Sequence, residues 1–138
     1  MNKEDLKKLV DIRLAEANTL LQAENYHGAY YLAGYVLECA VKVCITNQVS
    51  AFDFPNKQLA MKSHTHNLSE LITVAGLKQK LKEQEEADVE FSLNWAVAKD
   101  WSETSRYECN VEKSKAIDFL DAVNDGESGI LKWLKNFW

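Results

Sequence analysis

The stretch from Tyr26 to Asn47 constrains the fold more than any other part of the chain. On a wheel of about 100° per residue, Tyr26, Ala29, Ala33, Val36, Leu37, Ala40, Val43 and Cys44 gather on one side. Tyr30, Leu32, Cys39 and Val41 flank them, and the remaining stripe holds His27, Tyr31, Tyr35, Glu38 and Lys42. A helix this apolar has to be covered on most sides, so it is expected at the centre of a bundle. The run from Gly28 to Thr46 would also suit a membrane by length. Glu38 and Lys42 near its middle would each cost about 2.5–3.5 kcal/mol there, so a core helix of a soluble protein is expected, with no membrane partner.

The rest of the chain agrees with helix. One proline and five glycines in 138 residues are too few turn formers for an all-β domain. This length fits a single domain spanning residues 1–138. The expected class is all-α, an up-and-down bundle of four to five helices. The first runs from Lys3 to Ala23, with Asn2 as N-cap and Asp5 completing a capping box. After a break at Glu24-Asn25, Asn25 is placed to cap the central helix. From Thr46 to His66, around Pro55, no periodicity persists, and a long loop is expected. Asn67 can cap a short helix carrying Leu68, Leu71 and Ile72, which Gly76 would close in a left-handed turn. A fourth helix is predicted over Lys78–Ala98, its polar first half projecting into solvent. Asp100–Asn110 reads as a connection, with Asn110 as a cap. One long helix from Val111 to Asn136 would then run through Gly126 and Gly129.

Charge and thiols bound the setting. A formal charge of −5 gives no overall attraction to nucleic acid, so such binding would need a local basic patch. Cys39 and Cys44 lie roughly 140° apart on a helix and cannot bridge. All three cysteines, with Cys109, are expected as reduced thiols in a cytoplasmic protein. The start Met1-Asn2-Lys3-Glu4-Asp5 leads into a charged helix rather than a signal peptide.

Three groups of residues could carry chemistry. Glu38 and Lys42 stand four apart, Glu first, in the orientation that favours pairing. They are either a polar bridge in the bundle or the floor of a ligand site. His64 and His66 could supply two metal ligands, but no further ligands stand nearby at a recognised spacing, and no metal is expected. Arg106 is one of two arginines among sixteen basic residues, and it sits between hydroxyl residues and beside Tyr107. Its fork suits phosphate or carboxylate, or equally a structural ion pair. No glycine-rich phosphate loop and no HExxH pattern occurs, and no cofactor is expected. Trp133 and Trp138 near Phe137 place apolar surface at the C-terminus, as core or as an oligomer contact.

Together these stretches resemble the HEPN family of small helical domains. The resemblance rests on Tyr30-Tyr31-Leu32-Ala33-Gly34-Tyr35-Val36-Leu37-Glu38-Cys39-Ala40-Val41-Lys42. It continues in His64-Thr65-His66-Asn67-Leu68 with Leu71, then in Trp101 through Arg106-Tyr107. It covers the chain from about Lys8 to Leu134. The family implies a bundle of four or five helices that forms a homodimer. Its members include RNA-cleaving toxins paired with a nucleotidyltransferase-like antitoxin, and domains that bind nucleotides. The ribonuclease members carry an Arg followed, after four to six residues, by a His. Here Val111, Glu112 and Lys113 occupy those positions after Arg106.

The resemblance therefore implies a module that binds nucleotide, RNA or a protein partner without the usual catalytic pair. An atypical ribonuclease using His64 or His66 with Arg106 is the alternative, and a purely structural dimerisation domain is a third reading. The expected ligand site comprises Glu38, Lys42, His66, Trp101, Arg106 and Tyr107. Arg106 would hold phosphate, Tyr107 or Trp101 would stack, and Glu38 would orient Lys42.

Overall fold

The central helix forms as its apolar pattern requires. The computed structural model describes residues 2–49 and 56–138, and these contain eight α-helices and no strand. In chain order they are α1 (Lys3–Gln22), α2 (Tyr26–Thr46), α3 (Lys57–Lys62), α4 (Leu68–Val74), α5 (Lys78–Ala87), α6 (Val89–Ala98), α7 (Lys113–Asn124) and α8 (Ile130–Lys135), with a 3-10 turn at Glu103–Tyr107 between α6 and α7. Helix α2 packs against α1, α4, α7, α8 and the 3-10 turn. Its Ala29, Ala33, Val36, Ala40 and Val43 are wholly buried. Among the described residues α2 alone is long and apolar enough to cross a membrane, yet 72% of that window is buried inside the protein. Phe91, Phe119, Leu120, Ile130 and Leu134 complete the core around it. Each such side chain gains roughly 1.5–3 kcal/mol from full burial.

Several helix ends are set by the local devices the sequence shows. Asn2 Oδ1 accepts from the Asp5 amide at 2.8 Å, and the Asp5 carboxylate accepts from the Asn2 amide, closing the capping box. Asn67 Oδ1 accepts from the Glu70 amide at 3.0 Å. Gly76 adopts a φ of 74°, as a left-handed end to α4 requires. Asn25, by contrast, makes no side-chain cap. The α1–α2 turn is instead closed by backbone bonds, Glu24 to the Leu21 carbonyl and Asn25 to the Leu20 carbonyl. This is the Schellman pattern, and it holds Glu24 at a φ of 63°.

The expected four to five helices become eight because two long elements are divided and a short one is added. Asp88, extended at φ −140°, interrupts the predicted Lys78–Ala98 helix, and its carboxylate accepts from the Phe91 amide at 3.1 Å to start α6. The predicted Val111–Asn136 helix is divided between Asn124 and Ile130. There Asp125 Oδ1 accepts from the amides of Glu127 and Ser128 at 2.9 and 3.1 Å. Such a side-chain turn offers the backbone an alternative to the helical ladder. A Cβ on Gly129 would lie 2.3 Å from the Asp125 carbonyl, so only glycine fits this close approach. Ser128 Oγ donates to Asp88 at 2.8 Å, which ties the two breaks together.

Helix α7 begins after Glu112, so Asn110 stands too early to cap it. Helix α3 lies in the stretch expected as loop; Asn56 caps it, but none of its residues is buried, so no apolar face marks it in the sequence. The remainder of that expected loop, residues 50–55 with Pro55, lies outside the described residues. At the C-terminus, Trp133 packs against Phe91 and Phe137 with ring centroids 5.3 and 5.1 Å apart. It is core.

Candidate functional site

The polar stripe of α2 meets the turn before α4 and the 3-10 turn before α7. Glu38 is its centre. Only 3% of Glu38 is exposed, and a carboxylate so placed costs several kcal/mol unless it is paired. Lys42 Nζ donates to its Oε1 at 2.8 Å. His66 Nδ1 lies 2.9 and 3.0 Å from its two oxygens. An ionised carboxylate only accepts, so Nδ1 carries the proton and Nε2 is the second nitrogen left over. Lys42 and His66 keep 24% and 41% of their side chains exposed, so both cations sit between the buried acid and solvent.

The turn that delivers His66 is fixed on both sides. Thr65 Oγ1 donates to Glu70 at 2.7 Å and accepts from the Asn67 amide at 3.1 Å, while Asn67 caps α4. His64 is not brought into this cluster; it lines a cavity beside α3. Among the described residues no group of three or more His, Cys, Asp or Glu is arranged to hold a metal ion.

An aromatic run connects His66 to the 3-10 turn. Tyr35 stands edge-on to His66, Trp101 and Tyr31, with centroids 6.0, 5.4 and 5.1 Å away. Tyr31 donates its hydroxyl to that of Tyr35 at 3.3 Å. Burial first, and then this bond, push the Tyr35 phenol well above its ordinary value. Tyr31 and Tyr35 belong to the α2 stripe but not to the expected ligand set. Their i, i+4 spacing on one face with Glu38 and Lys42 is the signal that points to them.

Trp101 does not offer the stacking face expected of it. It is 3% exposed and lies on α2 where Gly34 leaves room. A Cβ at residue 34 would come within 1.8 Å of Trp101 Cε2. Its indole Nε1 is buried without a partner among the described residues. Trp101 therefore positions the turn rather than contacting a ligand. Tyr107, in contrast, is 74% exposed.

Arg106 stands beside it, its guanidinium 4.8 Å from the Tyr107 ring centroid. The Tyr31 hydroxyl, and then Tyr107, hold Arg106 further toward its charged form. Among the described residues Arg106 has no carboxylate partner, whereas Arg13 pairs with Glu16 at 2.8 Å. The structural ion pair open to Arg106 from sequence is thus not made. Ser105 is buried beneath it with an unpartnered hydroxyl.

A second anchor for this turn comes from the other end of α2. His27 Nε2 lies 2.7 Å from the Cys109 carbonyl and 3.2 Å from the Val111 amide. One ring nitrogen either donates to the carbonyl or accepts from the amide, according to its tautomer. Either bond ties the segment after Tyr107 to the start of α2. The sequence separation of these partners, 82 and 84 residues, hides the contact from any local pattern.

Arg106 and Lys42 with Glu38 leave a local surplus of positive charge in a chain of net −5. The arrangement can hold an anion, present an aromatic face beside it, and offer an imidazole nitrogen oriented by a buried carboxylate. No protein-family model, no curated protein and no solved structure matches the chain.

Proposed function

We propose that this chain is a HEPN-like helical module that binds the phosphate of a nucleotide or of RNA. In this reading it is an up-and-down bundle acting as a cytoplasmic homodimer. The observation that carries it is Arg106, an exposed guanidinium with no acidic partner among the described residues, stacked on the exposed ring of Tyr107. Phosphate and guanidinium match in two-point geometry, and a nucleobase can stack on a tyrosine that is free on its other face. Lys42 and His66, held on Glu38, supply further donors on the same side of α2. On α6, Val89, Leu93 and Val97 are exposed at i, i+4 and i+8, an apolar stripe that a second copy could cover.

The Glu38–His66 pair favours a second reading, an atypical ribonuclease. A carboxylate that fixes the imidazole tautomer leaves Nε2 able to take or give a proton, as general acid–base catalysis requires. Such an enzyme would act with a nucleotidyltransferase-like antitoxin as its partner.

Thermal-shift measurements test the first reading. Millimolar AMP, ATP or GTP should raise the melting temperature of the wild type, and Arg106→Ala should remove that rise. No rise with any of the three would sink it. Growth arrest on expression, abolished by His66→Ala, together with RNA cleavage by the purified protein, would establish the second reading instead.

A further inference from the structure

A cavity of about 570 Å³ lies between the start of α1, the C-terminal half of α2 and α3. This falls within the roughly 300–1,000 Å³ usual for small-molecule sites. Leu6, Ile45, Leu59 and Ala60 give it apolar walls, and Lys42 and His64 stand on its lining. None of the described lining residues is acidic, although the chain holds 21 acidic residues against 16 basic ones. Lys42 gives one bond to Glu38, and an ammonium has three donors, so it can serve a second acceptor.

We propose that this cavity binds a small amphipathic carboxylate, an unbranched acyl chain being the simplest form. The chain would lie against Leu6, Ile45 and Leu59, and the headgroup would meet Lys42 and His64. Apolar walls alone would accept a neutral or cationic amphiphile equally well. The cation at the rim with no acid around it selects the anion. This ligand is distinct from the nucleotide proposed above and does not depend on Arg106.

The test uses the full chain with decanoate, read by displacement of 1-anilinonaphthalene-8-sulfonate fluorescence. Decanol and decyltrimethylammonium serve as neutral and cationic controls. Decanoate below its micelle concentration should displace the dye in a saturable one-to-one manner, at least tenfold more tightly than decyltrimethylammonium. Lys42→Met should weaken decanoate at least tenfold while leaving decanol unchanged. Ala60→Trp fills the cavity from α3 without touching the Glu38 cluster, and it should abolish binding of both, with helicity preserved by circular dichroism. Unsaturable displacement, or wild-type decanoate affinity in Ala60→Trp, would overturn the proposal. So would decanoate binding that appears only in a Phe52→Ser/Phe54→Ser double variant, because the chain's own connection from Val49 to Asn56 would then be the occupant.

Discussion

His66 donates from Nδ1 to the carboxylate of Glu38, at 2.9 and 3.0 Å, across a separation of 28 residues. With Lys42 on the same carboxylate, this contact neutralises a buried acid. Glu38→Ala leaves two cations without their anion and opens space in α2. Because both partners are partly exposed, the loss should be smaller than for a fully buried pair, about 2 kcal/mol by urea denaturation. His66→Ala should cost less, since Lys42 still holds Glu38. The two changes should be non-additive in a double-mutant cycle.

Gly34 and Trp101 form a second close pair, and here the sterics decide. Gly34→Ala would force a methyl to within 1.8 Å of the indole. Overpacking of this kind costs about 1–3 kcal/mol, and the upper end is expected because both sides are buried. Trp101 should shift its fluorescence in the variant. Combining Gly34→Ala with Trp101→Ala should recover part of the loss.

Glu24 sits in the left-handed region at φ 63°, a conformation that disfavours residues with a Cβ. Glu24→Gly should therefore stabilise the protein by roughly 0.5–1 kcal/mol, measured as a higher urea midpoint with an unchanged slope.

Much of this architecture was legible in the sequence, because it rests on local signals. The apolar wheel of α2, the box at Asn2-Asp5, the Asn67 cap and the Gly76 turn each need only neighbouring residues. The breaks at Asp88 and Asp125 were not legible, because the apolar phase continues through both and the interruption comes from side-chain bonds. Lys42 beside Glu38 follows from spacing on one helix. His66 on Glu38, Trp101 against Gly34 and His27 at Cys109 are tertiary contacts with no periodic signature. Trp101 and Tyr107 look equally able to stack in the sequence, and only burial separates them.

Cys44 supplies a pH dependence whose sign is fixed by burial. Its thiol donates toward the carbonyls of Ala40 and Leu134 at 3.4 and 3.5 Å, and burial pushes its pKa up to about 11. A raised pKa in the fold stabilises below the unfolded thiol's value, about 8.5. That stability is lost as pH rises through the folded value. The urea midpoint of the wild type should fall from pH 9 toward pH 11, and Cys44→Ala should flatten the first part of that fall. Tyr30, pushed by burial to about 12, should add a later decline in both proteins.

The most direct measurement is calorimetric titration of AMP and adenosine into the wild type and Arg106→Ala. If Arg106 and its neighbours hold phosphate, AMP should bind at least tenfold more tightly than adenosine. Arg106→Ala should erase that difference while leaving the weak adenosine binding in place. Equal affinity for AMP and adenosine, or an Arg106→Ala variant that binds AMP as the wild type does, would contradict a phosphate site at Arg106.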